Sequence, residues 1–342
     1  MEYLAFLIRR LFYSVFVLLG LSILIFTIAR VMPGDPVRMA LGPRVTKEAV
    51  ERVRQEMHLD KPIFAQYYYW LVGVLHGDFG ESLYTLRAVS EDVKAYLPAT
   101  LELAAFASLL MVFGGIGLGV LGALFKDKWP DNSIRLFSYA GIALPSFVWA
   151  ILLILFFGYY LRIFPITGRV SSGIELPSLR TGFVTLDALF AGQPHVFGDA
   201  LRHLVLPSIS LAMATIAQNS RLTRITMIEN SSRDFIEAAR SYGLPNAFVT
   251  SRLLLKPSLI PTVSILGLEI AAVISNAFLI ELIFIWPGIA RYGMQAILRK
   301  DLNAVVAVIM LMGVLFVILN FLVDIVVGYL DPRIRLRSRG GE

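Results

Sequence analysis

The chain has 342 residues, enough for one large or two ordinary soluble domains. Its composition excludes that class, because 57% of the residues are hydrophobic and only 16% are charged. Apolar runs recur that are long enough to cross a hydrocarbon core of about 30 Å. The formal charge of +6 requires no nucleic-acid partner, since cations collect at the cytoplasmic ends of membrane spans. We therefore expect an all-α polytopic membrane protein that lies in a lipid bilayer.

Six apolar segments predict six membrane spans. They lie at about 11–31, 99–124, 134–161, 201–223, 259–285 and 304–330. Lys and Arg concentrate before the first span, after the second, after the fourth and after the sixth. The positive-inside rule assigns all four of these segments, and hence both termini, to the cytoplasm.

Two longer segments are then predicted on the outer side. In the first, Thr46 can begin a polar helix that runs to about His58, and Pro62 begins a second helix rich in aromatic residues. The sequence GDFGES at 77–82 predicts a turn. The second outer segment, about 162–200, is rich in Gly, Pro and Ser and is predicted to be a loop.

A cation-rich segment between the fourth and fifth predicted spans indicates a pair of short helices. Asp234, followed three residues later by Glu237, is typical of a capping box. Gly243 suits the left-handed conformation that ends a helix, and Pro245 prevents its continuation. A helix of about two turns is unstable alone in water, so we expect it to dock against another surface. The alternative is a simple connecting loop. The predicted docking face comprises Phe235, Ile236, Ala238, Ala239 and Tyr242.

Ionisable residues within or near the spans are costly to bury and therefore indicate a function or a polar contact. They are Glu102, Glu269, Glu281 and Asp324. In the fifth span Thr262, Glu269 and Asn276 recur at seven-residue intervals and so share one helical face. This stripe can line a hydrated path for a polar solute or can bond neighbouring helices together, and the sequence leaves both interpretations open. Asn320 and Asp324 are predicted to bond to a neighbouring helix.

Several motifs are interpreted as structural. Gly117, Gly119 and Gly122 match G-x-G-x-x-G, but they lie inside an apolar span rather than after a strand. Gly115 and Gly119 instead predict close helix packing. The four histidines lack metal-ligand spacing, so we expect no metal site, and no catalytic residue is predicted. The phosphate-binding motif G-x-x-x-x-G-K-[ST] is absent from the sequence, so ATP would bind to another chain.

Glu237-Ala238-Ala239, followed after three further residues by Gly243, resembles the cytoplasmic loop of ABC importer permeases. The loop usually ends in Ile-x-Leu-Pro, whereas this chain has Leu253-Leu254-Leu255-Lys256, a departure that is itself similar to the dipeptide/oligopeptide subfamily. Other matches to that subfamily span the chain. They are Pro33-Gly34-Asp35-Pro36, Leu59-Asp60-Lys61-Pro62, Gly77-Asp78-Phe79-Gly80, Ala99-Thr100-Leu101-Glu102-Leu103, Glu281 with Ile283-Phe284, Trp286-Pro287-Gly288 and Asp331-Pro332-Arg333-Ile334-Arg335.

This resemblance implies a type I ABC importer transmembrane fold, with the chain as the first permease of a pair. Residues 1–98 would form the N-terminal span and the extracytoplasmic helical insertion. Residues 99–330 would form the five-span permease domain with a cytoplasmic coupling loop at 224–258, and residues 331–342 a cytoplasmic tail. The chain would be a transport subunit, not an enzyme, in a prokaryotic plasma membrane.

The resemblance also implies partners. They are a second related permease, two ATPase subunits that bind ATP and Mg, and an extracytoplasmic solute-binding protein. The implied ATPase-coupling residues are Asp234, Phe235, Glu237, Ala238, Ala239, Tyr242 and Gly243. The expected solute is a di- or oligopeptide, with oligosaccharides or nickel as alternatives within the family. An ion-coupled carrier is the alternative from another class, but such carriers are often built from internal repeats, which this sequence does not show.

Overall fold

The computed structural model describes residues 2–31, 60–82, 85–178 and 180–330, with isolated positions at 46, 48, 51, 54 and 55. These ranges are mainly helical, and their only extended pairing is a bridge between Glu81 and Ala88. The predicted polar helix from Thr46 to His58 lies largely outside the described residues. The described helices are α1 (Glu2–Val31), α2 (Ile63–Leu75), α3 (Val89–Leu124), α4 (Trp129–Ala143), α5 (Ser146–Tyr160), α6 (Val184–Phe190), α7 (Pro194–Ser231), α8 (Asp234–Ser241), α9 (Asn246–Ile283), α10 (Ile289–Leu298) and α11 (Leu302–Leu330).

In the described ranges, five helices are long and apolar enough to cross a membrane, namely α1, α3, α7, α9 and α11. A sixth crossing exists if α4 and α5 together form one broken span, since a bend of 112° separates them. The third predicted span, 134–161, is therefore two helices and not one straight helix. The bend follows from Pro145, because a residue before proline avoids the helical conformation and Leu144 has an extended ψ of 132°.

Helix α7 lies at the centre of the bundle, with 67% of its apolar window buried, against 17% for α1. It packs against α3, α4 and α9. Glycines on α3 allow the closest approach. A Cβ atom added at Gly119 would lie 2.5 Å from the Cβ of Thr223, and one at Gly115 would lie 2.9 Å from the Cβ of Asn219. The predicted close packing at Gly115 and Gly119 is confirmed.

Helix α1 lies at the edge of the bundle and contacts α11. Arg10 forms an ion pair with Asp324, which confirms the predicted interhelical contact of Asp324. The same prediction for Asn320 is wrong, because its amide donates to the Phe316 carbonyl within its own helix (2.9 Å).

The two segments predicted on the outer side contain more helix than the sequence predicted. The predicted helix after Pro62 is present as α2. Residues 162–200, however, are not simply a loop: they contain α6 and the start of α7. Asp187 on α6 accepts hydrogen bonds from the Thr181 and Gly182 amides, each at 3.0 Å. Burial opposes ionisation of Asp187, but these bonds and one from the Thr181 hydroxyl outweigh it and lower its pKa.

A buried polar seam joins the start of α3 and the segment before it to α10 and to the residue before α11. The Tyr292 hydroxyl donates to Asp92 at 3.0 Å, and the Ser82 hydroxyl donates to Asp301 at 2.6 Å. Both carboxylates are fully buried. Burial raises the pKa of Tyr292, so its hydroxyl stays protonated and remains a donor. The seam fixes the outer N-terminal segment to the C-terminal half of the chain.

Candidate coupling hairpin and transport path

The short helix α8 begins directly after α7, where the chain leaves the bundle. Its N-cap residue is Arg233, and the cap makes no side-chain hydrogen bond. The amides of Ile236 and Glu237 bond instead to the Arg233 carbonyl, at 2.9 and 3.2 Å. The predicted capping box is therefore wrong, because Asp234 is the first helical residue and not the cap. Its carboxylate and that of Glu237 still lie in the first turn, where the helix dipole favours negative charge.

The end of α8 agrees with the sequence. Gly243 has a φ of +76°, as predicted. The Leu244 amide bonds to the Ala239 carbonyl at 3.3 Å, and the Gly243 amide bonds to the Arg240 carbonyl at 2.9 Å. This pair of bonds is the Schellman motif, and Pro245 follows it. A Cβ atom at Gly243 would meet no atom within 4 Å, so only the backbone conformation requires glycine here.

One face of α8 packs against its own chain. Ile236 is fully buried and Ala239 nearly so, in a cluster with Met227, Val249 and Leu254. Ile236 and Ala239 thus dock α8 against its own chain, so their side chains are not exposed to a partner. This cluster attaches the hairpin of α8 and the start of α9 to the end of α7.

Other apolar residues of α8, of the turn after it and of the start of α9 are exposed. Phe235, Tyr242, Leu244 and Phe248 are all solvent-accessible, and Tyr242 has 86% of its surface exposed. We call these four residues the hairpin patch. Asp234, Glu237 and Ala238 are exposed around it. Sequence reasoning missed Leu244 and Phe248, although two apolar residues flanking Pro245 at a helix turn were a usable signal.

The predicted polar stripe on α9 is divided between two environments. Thr262 is fully buried, and its hydroxyl lies 2.9 Å from that of Thr223 on α7. Glu269 is half-buried and accepts a hydrogen bond from Thr215 of α7 at 3.3 Å. Asn276 is exposed. The end of the stripe near the hairpin thus bonds two helices together, whereas Asn276, nearer the other end, faces outward from the chain.

The two other buried glutamates serve local structure at the outer end. Glu102 forms an ion pair with Arg169 and accepts a hydrogen bond from the Thr185 amide at 2.8 Å, which ties the outer segment to α3. Glu281 accepts hydrogen bonds from the Thr100 hydroxyl and from the Arg291 amide. Its carboxylate therefore satisfies the start of α10, which has no side-chain cap of its own.

The fold and the hairpin together define a class of protein. It is a multi-pass helical membrane protein that presents a short, sharply ended helix with an exposed apolar patch outside its bundle. Two family descriptions match the chain, "Binding-protein-dependent transport system inner membrane component" over residues 115–336 and the N-terminal component of the same systems over residues 3–104.

The chain belongs to this family of binding-protein-dependent inner membrane transport components, so it is a transmembrane permease subunit with the type I fold. The resemblance noted in the sequence is confirmed, and the family match gives no support to the alternative of an ion-coupled carrier. This chain is 36% identical over 333 residues to the probable D,D-dipeptide transport system permease protein of Escherichia coli, and the match covers 97% of each chain. It is also 36% identical over 337 residues to the di/tripeptide transport system permease protein of Pseudomonas aeruginosa, covering 97% of this chain and 99% of the relative. A glutathione transport system permease protein of E. coli is 27% identical, with 96% and 98% covered.

Proposed function

We propose that this chain is a permease subunit of an ATP-driven importer of di- or oligopeptides. The relatives that cover nearly its whole length are named for dipeptide, di/tripeptide and glutathione transport. All three solutes are short peptides or peptide-like, so oligosaccharide and nickel are not favoured. The chain forms half of the path, beside a second related permease, and an extracytoplasmic binding protein delivers the solute.

The hairpin patch carries the coupling part of this proposal. The hairpin lies outside the bundle and exposes four apolar side chains to water. Because removal of apolar surface from water is favourable, a partner protein that covers these side chains gains binding free energy. The partner is an ATPase subunit that binds ATP and Mg²⁺, while this chain itself catalyses no reaction. Asp234, Glu237 and Ala238 border the contact, and Gly243 fixes its end. The side chain of Ala239 supports the hairpin patch from the buried face of α8.

This placement also sets the orientation in the membrane of a prokaryotic cell. The hairpin and both termini lie in the cytoplasm, because ATP is available there and the cation-rich segments follow the positive-inside rule. When the ATPases change state, the hairpin patch makes different contacts in each state. Only such a difference can shift the equilibrium between inward and outward access.

The path itself is assigned to the exposed part of the stripe on α9. Asn276 supplies an exposed polar side chain on a largely apolar stretch of α9, and Glu269 lies two turns before it. Both can replace water around the amide groups of a peptide. Thr262 is excluded from the lining because it is fully buried against α7.

The test combines substrate and orientation. The complex is purified with its partner subunits and reconstituted with its binding protein, and ATP hydrolysis is measured with dipeptides, tripeptides or maltooligosaccharides. We expect peptides to stimulate hydrolysis and uptake. Stimulation by oligosaccharides alone would contradict the proposed solute.

The chain lacks cysteine, so orientation is tested with single replacements at Ser172 and Ser232, both exposed. Cysteine at Ser172 should react in intact cells with an impermeant thiol reagent, and cysteine at Ser232 only after permeabilisation. The reverse pattern would place the hairpin outside the cell and refute ATPase docking.

A further inference from the structure

A cationic cavity lies between α4 and α7, away from the hairpin patch and from the polar stripe on α9. Its volume is about 260 Å³. Its lining residues are Ile134, Arg135, Ser138, Tyr139, Arg221, Arg224 and Ile225. Three arginines converge on it, and no carboxylate lines it.

The three arginines differ in how their charge is balanced. Arg224 is largely buried and forms a two-bond ion pair with the fully buried Asp131, one bond being 2.6 Å long. Its charge is thus neutralised, and its guanidinium is held rigidly against the cavity. Arg135 and Arg221 are exposed, and within the described residues neither forms a hydrogen bond or an ion pair. Arg135 attracts the Asp131 carboxylate through space, and Asp127 attracts Arg224, so the three arginines face two nearby carboxylates. The cavity therefore keeps a net positive charge beside a fixed wall.

The position of the cavity along the helices places it at the surface of the bilayer. The apolar part of α7 ends near residue 223 by hydropathy, and the third predicted span begins near residue 134, so Arg135 and Arg221 lie where two spans meet water. Trp129 and Tyr139 on α4 are exposed, with 79% of the Trp129 surface accessible. Exposed Trp and Tyr are typical of the headgroup level of a membrane. The neighbouring Ile134 and Ile225 give the cavity an apolar wall.

We propose that this cavity binds the phosphate group of an anionic phospholipid, such as phosphatidylglycerol, from the leaflet on the hairpin side. Arg135 and Arg221 contact the phosphate, since arginine matches phosphate oxygens in geometry as well as in charge. The hydroxyl of Tyr139 is available as a further donor, and the acyl chains lie along the exposed apolar surface of α4. Basic pockets between transmembrane helices on the cytoplasmic side suit lipid headgroups in this way.

A bound lipid at this position would connect α4, which precedes the bend at Pro145, to α7, which leads directly into the coupling hairpin. The site is independent of the peptide specificity proposed above, because it uses none of the same residues. Its failure would leave the proposed function intact.

The experiment uses the purified importer complex in nanodiscs of phosphatidylcholine that contain a small fraction of phosphatidylglycerol. Lipids that stay bound after release from the disc are identified by native mass spectrometry. We expect phosphatidylglycerol to be retained in preference to phosphatidylcholine. Each cation that meets an anionic headgroup contributes about fivefold in affinity, so R135Q/R221Q should retain roughly 30-fold less. Both side chains are exposed, so the variant should fold.

The matched control is K126Q/K128Q, which removes the same charge from the same end of the chain but outside the cavity. It should retain phosphatidylglycerol as the unmodified complex does. Equal loss in both variants would show only diffuse attraction to the surface and would overturn the site. Absence of preferential retention in the unmodified complex would do the same. Displacement of the lipid by millimolar inorganic phosphate would assign the cavity to a free anion, and displacement by a transported peptide would assign it to the path. Either result would refute a lipid site.

Discussion

Replacement of Tyr242 by alanine should weaken ATPase docking without destabilising the permease. The side chain has 86% of its surface exposed, so its removal costs the isolated chain little. Full enclosure of a large side chain contributes about 1.5–3 kcal/mol, which corresponds to about 10- to 150-fold weaker binding when it is lost. Phe235 has only 46% of its surface exposed and should contribute roughly half as much free energy.

The assay is co-purification of the ATPase subunits with tagged permease variants, followed by peptide uptake in vesicles. The thermal unfolding midpoint of the permease alone is measured beside it. Tyr242→Ala should lower ATPase retention and uptake at an unchanged midpoint. Ile236→Ala, which opens a cavity in the buried cluster, should lower the midpoint as well, at a cost of about 2–5 kcal/mol.

The matched control is Phe190→Ala, which removes an aromatic side chain that is also largely exposed, at 69%, from the end of α6 on the predicted outer side. It should change neither ATPase retention nor the unfolding midpoint. Normal ATPase retention in Tyr242→Ala and in Phe235→Ala together would refute the hairpin patch as the docking surface, and α8 would then be only a connection between α7 and α9.

The remaining predictions concern backbone, packing, acid response and path. Gly243→Val should weaken ATPase docking more than Gly243→Asn, because a left-handed conformation costs a β-branched residue about 1–2 kcal/mol and asparagine less; co-purification measures the difference. Gly119→Ala should lower the unfolding midpoint in detergent, at a cost of about 1–3 kcal/mol, whereas Gly117→Ala, whose Cβ meets no atom within 4 Å, should not; equal midpoints would contradict the packing. The stabilisation from ionised Asp187 is present above its ordinary pKa of 3.8 and is lost as the pH falls below it. The protection of its turn against hydrogen exchange, corrected for the intrinsic exchange rate at each pH, should therefore fall under acid, and Asp187→Asn should remove that pH dependence. Asn276→Trp should block uptake while the complex still assembles, since the site is exposed; normal uptake would remove Asn276 from the path.

Local signals in the sequence predicted the elements whose causes are local. The left-handed Gly243 and the helix after Pro62 depend on one or two residues and their immediate neighbours. The close packing at Gly115 and Gly119 is similar, because a small residue at each turn leaves room for whichever helix lies opposite. These features required no knowledge of the partner residue.

The capping box shows why a local motif can still fail. Asp234 and Glu237 have the correct spacing, but the extended residue that precedes the helix is Arg233, one position earlier. If the helix starts one residue earlier than predicted, Asp234 is no longer the capping residue but a charged residue of the first turn. The hydropathy pattern does not locate a helix start to within one residue. The bend between α4 and α5 is comparable, since Pro145 was visible but lay within an apolar run long enough for one span.

The buried glutamates show a different limit, set by distance along the chain. Their cost in an apolar environment was evident, but their partners were not. Arg169 lies 67 residues from Glu102, and Thr100 lies 181 residues from Glu281. Periodicity reports which face of a helix a residue occupies and carries no information on which distant segment meets that face. The polar stripe on α9 had the same ambiguity, and the contact of Thr262 with Thr223 resolved one part of it.

These long-range contacts also indicate how motion at the hairpin can reach the outer end. Polar bonds join α3, the outer segment and the start of α10 through Glu102 and Glu281, so the outer ends of these helices are tied together. The hairpin packs against the ends of α7 and α3 through one small apolar cluster, and its second arm continues directly into α9. Helix α7 is in turn the helix that packs against α3, α4 and α9. A displacement of the hairpin therefore acts on α7 and α3 through this cluster. It also acts directly on α9, which begins in the hairpin and carries Glu281 near its far end.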